Sequence, residues 1–252
     1  MLLRYGNNLN VKNDTIYFTP EMYSIIQEFD NVRDLGIQVS NSGDFKDHID
    51  NIIKRTKKVI GWVLRSFINR SLNFLKKMWV TIIRPIIDYG SQVWSPLEGV
   101  DMDRIEKLQY NFTKLIPEIR GLSYEERLKK LNLSSLQRQF ERYKIFYTWK
   151  VLQGIVPGCG IKVRSEWNSR NGLKLEVNRT GDDRIGRLRD QSFQISAPKI
   201  WNSLPIFLRN LETSSKSIFK TNLDNYLRTI PDCPRVGSRA WSKNSLTDIL
   251  SN

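Results

Sequence analysis

From Asp44 to Gly154 the apolar residues of this chain recur at spacings of three and four, the period of helices that bury one face. In the first stretch Phe45, Ile49, Ile52, Ile53, Val59, Ile60, Val63, Leu64 and Phe67 form the stripe. The positions between them carry Lys54, Arg55, Lys57, Lys58 and Arg65, which predicts an amphipathic helix with one strongly cationic face. A second helix is expected through Leu72, Leu75, Trp79, Ile82 and Ile83, with Lys76 and Lys77 extending the basic run, and Pro85 is expected to kink or end it. Asp101 is placed to cap a third helix that buries Ile105, Leu108, Phe112 and Leu115. Ser123-Tyr124-Glu125-Glu126 reads as a capping box for a short fourth helix, and Ser134 with Gln137 as another for a fifth. The fifth runs through Phe140, Tyr147 and Val151 and ends at Gly154.

The flanking segments lack that period. Before it, Thr15-Ile16-Tyr17-Phe18 is β-branched and aromatic, and Leu35, Ile37 and Val39 alternate around Gly36. These predict a small sheet, or the edge of a larger one. After Gly154, residues 155–192 are rich in Gly, Asn and Arg and read as a loose β-hairpin or a partly ordered basic linker. Helix is expected again over 204–227, with Phe207, Leu211, Phe219, Leu223 and Leu227 as the apolar set, and a poorly ordered tail from Pro231. The expected fold is mainly α with small β elements (α+β). Its divisions fall at 1–43, 44–154, 155–230 and 231–252.

With 252 residues, 40% of them hydrophobic, the chain can bury real cores, so disorder is not the default. Its net charge of +14 is large for an enzyme of small metabolites and favours a polyanionic partner. A membrane surface fits less well, because neither a lone basic amphipathic helix nor a lipidation signal stands out. The apolar run 78–87 is interrupted by Arg84 and Pro85 and is too short to span a bilayer, and the apolar run at Met1 is too short for a signal peptide. Cys159 and Cys233 are far apart and give neither a disulfide framework nor a zinc cluster, which suits a reduced, intracellular setting, nuclear or cytoplasmic.

Few residues offer catalytic chemistry. His48 is the only histidine, beside Asp47 near a helix start, and reads as a partly exposed polar residue rather than a base. Gly181-Asp182-Asp183 holds the only adjacent aspartates, and paired aspartates bind catalytic magnesium in polymerases. Such a pair needs apolar strands around it. Here Arg179, Thr180, Arg184 and Arg187 flank it, so a solvated turn is expected. The basic run is the stronger signal: acidic residues hardly interrupt it between Lys54 and Lys77, and Trp62 and Trp79 lie within it. A solvated helix face is the usual fate of such charges and core packing the commoner role of tryptophan, against phosphate tracking and base stacking.

Several stretches, in order, resemble the C-terminal part of the reverse transcriptase of non-LTR (LINE-type) retrotransposons, near the jockey-like and chicken-repeat-like groups. Val32-Arg33-Asp34-Leu35-Gly36-Ile37 is similar to that family's Leu-Gly motif, and Phe45 with His48-Ile49 to the start of its thumb. Ile83-Arg84-Pro85-Ile86-Ile87-Asp88-Tyr89-Gly90, then Val93-Trp94-Ser95-Pro96, is the strongest match, followed by Ile105-Glu106-Lys107-Leu108-Gln109 and Tyr124-Glu125-Glu126-Arg127-Leu128. Ser192-Phe193, then Ala197-Pro198-Lys199-Ile200-Trp201-Asn202-Ser203-Leu204-Pro205 and Phe219-Lys220, resemble its closing segment. The resemblance implies a primer-grip-like turn at Asp34, Leu35 and Gly36 at the end of a palm. It implies a helical thumb-like bundle that holds nucleic acid through Lys54, Arg55, Lys57, Lys58, Arg65, Lys76 and Lys77. The implied partners are an RNA template, a DNA primer and their RNA–DNA hybrid, with no membrane and no small-molecule substrate. In that family the catalytic aspartates, and the Mg2+ they hold, precede the Leu-Gly motif. The chain is therefore expected to be a fragment, inactive as an RNA-directed DNA polymerase by itself and with no cofactor of its own. The alternative reading is a helical protein-interaction or scaffold protein derived from such an element.

Overall fold

The structure is a computed structural model that describes residues 15–19, 22–25, 29–96, 99–164, 172–178, 181, 183–210, 215–234, 236 and 244–250. It is mainly α with small β elements, and it divides into two units, Met1–Asn51 and Ile52–Asn252. The division falls inside the first helix, α1 (Lys46–Ser66).

Among the described residues the first unit holds two antiparallel pairs. Strand β1 (Thr15–Thr19) pairs with β2 (Met22–Ile25), and β3 (Asn31–Asp34) with β4 (Ile37–Ser40). Asp34 faces Ile37, so Leu35 and Gly36 alone make the turn, with φ of 44° and 85°. Two positive φ values are the signature of a type I′ turn, whose twist suits the flanking strands. The start of α1 belongs to this unit. His48 Nδ1 accepts from the Gln38 N–H at 3.2 Å, and Asn51 Nδ2 donates to Gln38 Oε1 at 2.6 Å.

In the second unit Pro85 does not end its helix, which runs on through it to Asp88. Helix α2 (Leu72–Met78) runs into a π-helical turn, Trp79–Ile83, and on into α3 (Arg84–Asp88). The Arg84 N–H donates to the Trp79 carbonyl, five residues back. The wider turn relieves the clash and the missing donor that a proline imposes on an α-helix. A short α4 (Ser91–Trp94) follows, then α5 (Val100–Thr113). Gly99, not Asp101, stands at the cap of α5, and Leu115 lies past its end and is exposed. The Ser123–Glu126 capping box opens α6 (Tyr124–Leu131) as expected. Helix α7 (Leu136–Leu152) is capped by Ser135 rather than Ser134, its hydroxyl accepting from the Arg138 N–H at 3.1 Å. Gly154, at φ 68°, follows α7 and ends it.

The central core is aromatic. Trp79 lies 5.0 Å from Phe112 and Trp94 meets Phe140 edge-on at 5.6 Å, all four buried. A second cluster grows from the C-terminal half of α7. Among the described residues of 155–192 there is an isolated bridge, Val163 to Leu175, and a helix the sequence reading missed, α8 (Arg184–Gln191). Next comes α9 (Phe193–Ser203), a helix despite Pro198 within it. Its Ile200 and Trp201 pack with Ile145 and Trp149 of α7, and that burial outweighs the cost of the proline. The helix expected over 204–227 is broken. Pro205 holds Leu204 extended, leaving α10 (Ile206–Arg209) and α11 (Lys216–Thr229), while Leu211 lies outside the described residues. Phe219, Leu223 and Leu227 of α11 join the cluster, whereas Phe207 is exposed.

The described part of the tail is ordered against α7, contrary to expectation. Leu246 opens α12 (Leu246–Leu250) and is fully buried in the second cluster. Arg138 Nη2 donates to the carbonyls of Pro231 and Asn244, at 3.0 and 3.3 Å. Asp232 accepts from the Ser135 N–H at 2.8 Å, and Asn244 Nδ2 donates to Asp232 at 2.8 Å. Among the described residues no helix is long and apolar enough to cross a membrane.

Candidate nucleic-acid interface

Successive residues of an α-helix turn by about 100° and rise by about 1.5 Å. On α1 this sets Ile52, Thr56 and Val63 on one side, all buried, with Ile53 beside them. Lys54, Lys58 and Arg65 then lie along the opposite side, with Arg55 and Lys57 to either hand, and all five are exposed. Val59, Ile60, Leu64 and Phe67 are half-buried at the margin. None of the five cations makes an ion pair with another described residue, and no Asp or Glu stands between Lys54 and Lys77. Gly61 sits within the cationic face. A Cβ there would come 3.2 Å from an Arg65 guanidinium nitrogen, so the absent side chain lets Arg65 lie back along the helix.

The end of α1 is held by a residue the sequence reading passed over. The Arg70 guanidinium donates to the carbonyls of Leu64 and Phe67, placing a positive charge at the negative end of the helix dipole. Trp62 stands on the solvent side near this end and meets Phe67 edge-on at 6.0 Å, and Phe67 meets Phe74 of α2 at 5.3 Å. On α2 Lys77 is exposed and Lys76 half-buried. Trp79, the other tryptophan of the basic run, is buried and unavailable to a base.

The remaining candidates belong to other elements. Asp34, Leu35 and Gly36 form the β3–β4 turn of the first unit, and Leu35 is exposed at its tip. His48 is buried rather than partly exposed. Burial first, and the Arg33 charge second, hold its imidazole below the ordinary value, so it is a neutral acceptor for the hairpin backbone. Asp183 caps α8, its Oδ1 accepting from the Gly186 N–H at 2.8 Å, and Asp182 lies outside the described residues. Among the described residues no group of three or more His, Cys, Asp or Glu side chains is placed to hold a metal ion.

Buried ionisable groups that escaped the sequence reading include Glu106, Glu141 and Lys144. Glu106 of α5 accepts from the Tyr124 hydroxyl at 2.5 Å and from the Leu136 N–H at 2.8 Å, which ties α5, α6 and the start of α7 together. Burial pushes its carboxyl up to about 8. Glu141 accepts from the Ser245 hydroxyl at 2.9 Å and the Leu246 N–H at 3.1 Å, and burial raises it to about 7. Lys144, one turn on, is lowered by burial to about 8. The hydrogen-bond partners of both carboxylates join elements of the fold, so their perturbed affinities reflect packing rather than a reaction centre.

No protein family, curated protein or solved structure matches the chain. The exposed cations of α1 face away from the buried side of the helix over several turns.

Proposed function

We propose that the chain binds nucleic acid along the cationic face of α1, gripping the phosphate backbone of an RNA–DNA hybrid without reading its sequence. The observation that carries the reading is the placement of Lys54, Arg55, Lys57, Lys58 and Arg65 opposite the buried side of one helix. Backbone contacts of this kind need charge and shape but no base code. The ordered motifs shared with non-LTR reverse transcriptases support placing the chain as the end of a palm followed by a thumb and C-terminal region. Helices following a short hairpin, with a two-residue Leu-Gly turn before α1, agree with that placement. In it the chain holds substrate, and the Asp183 side chain caps α8.

The test replaces Lys54, Lys57 and Lys58 with Gln, which has a helix propensity close to that of Lys. Helix content should be unchanged. Affinity for a hybrid should fall equally for unrelated sequences, and the slope of log affinity against log salt should shallow by about 0.7–0.9 for each phosphate no longer neutralised. An unchanged slope would put the binding surface elsewhere and sink the assignment to α1.

A further inference from the structure

Trp62 is 49% exposed, whereas Trp79, Trp94, Trp149 and Trp201 are each at most 2% exposed. Lys58 lies four residues before Trp62 and Arg65 three residues after it, so both are its surface neighbours at about 5–6 Å between Cβ atoms. The ring is braced rather than loose. It meets Phe67 at 6.0 Å with an interplanar angle of 85°, and Phe67 is fixed in turn by Phe74 at 5.3 Å. Bracing lowers the entropy lost when a ligand covers the ring.

We propose that Trp62 is a stacking platform for an unpaired nucleobase, with Lys58 and Arg65 holding phosphates on either side of it. This deepens the nucleic-acid reading and rests on it. The C-terminal end of α1 then binds single-stranded or frayed nucleic acid, while the helix as a whole tracks phosphates. Stacking tolerates any base, because every base presents a π face. The charge around the ring favours a polyanion over a neutral protein surface.

The experiment separates base from phosphate. The full chain is titrated, by fluorescence anisotropy, with a thymidine oligonucleotide and with an abasic strand of equal length and charge. The native chain should prefer the thymidine strand by about 5- to 150-fold, the worth of one stacked base. Trp62→Ala and Trp62→Leu should bind both strands at the abasic level, with Trp62→Phe keeping most of the preference. Affinity for the abasic strand and its salt slope should be the same in all four proteins. Equal binding of the two strands by the native chain would overturn the platform and leave the phosphate grip standing. Full preference in Trp62→Leu would reduce the interaction to apolar covering and also overturn it. Should Trp62→Ala unfold, the Leu and Phe variants decide the matter. Absence of salt-dependent binding to either strand would instead remove the nucleic-acid reading itself, and the platform with it.

Discussion

Leu35 holds a backbone conformation, φ 44°, that costs a β-carbon residue about 1–2 kcal/mol, and at 82% exposure it gains little from burial in return. Asn tolerates the same conformation, so Leu35→Asn should stabilise the β3–β4 hairpin by roughly 1 kcal/mol. Slower amide hydrogen exchange in β3 and β4 would show it, and unchanged exchange would mean that the turn carries no strain. If the variant is more stable yet binds a hybrid less well, the leucine side chain itself touches the nucleic acid, as the primer-grip resemblance implies. The alternation of Leu35, Ile37 and Val39 reads as one strand through Gly36, and only the resemblance implied a turn there, which is where the structure has it. The left-handed Leu35 was not legible, since leucine is a poor choice there and only the pairing of Asp34 with Ile37 reveals a two-residue loop. His48 was misread for a related reason. Its partner, Gln38, lies ten residues upstream, and a tertiary hydrogen bond leaves no local signal.

At the scale of elements, α1 was legible because its apolar and cationic residues are separated by a clean half-turn. The capping box before α6 was legible because Ser123 and Glu126 satisfy each other locally. By contrast α9 was missed. Ile200 and Trp201 become helical through burial against α7, while Pro198 argues against helix in any local reading. The π turn before Pro85 is the third case: proline predicts a break, and the widened turn absorbs it. That turn carries Trp79, which is fully buried 5.0 Å from Phe112. Trp79→Ala should therefore cost roughly 3–5 kcal/mol of stability, the range for a large buried aromatic. Nucleic-acid affinity per folded molecule should be unchanged. A variant that melts like the parent but loses binding would move Trp79 from the core to the interface.

Across the whole molecule, the buried ionisable side chains of α5 and α7 were the least legible level, because Glu106, Glu141 and Lys144 look in sequence like ordinary surface residues. Their burial gives the fold a pH profile whose sign can be worked out. Glu141 and Glu106 titrate at about 7 and about 8 in the folded chain, above the ordinary 4.5, so the folded state holds their protons more tightly. Their favourable contribution is complete below about 4.5 and is lost as pH rises through 7 and 8. Lys144 is lowered from 10.5 to about 8, so its contribution is present above 10.5 and lost as pH falls through 8. The two trends meet, and thermal stability should pass through a minimum near pH 8. Glu106→Gln combined with Glu141→Gln should flatten the acid arm, because Gln keeps an acceptor for Leu136 and Leu246 without a proton to lose. Lys144→Met should flatten the alkaline arm. His48 works in the opposite sense at low pH, but it is common to native and variant chains and cancels when they are compared. Melting temperatures followed from pH 5 to 10 decide the matter, and an acid arm that survives the double substitution would assign it to other groups, such as Asp88, whose carboxyl burial also raises.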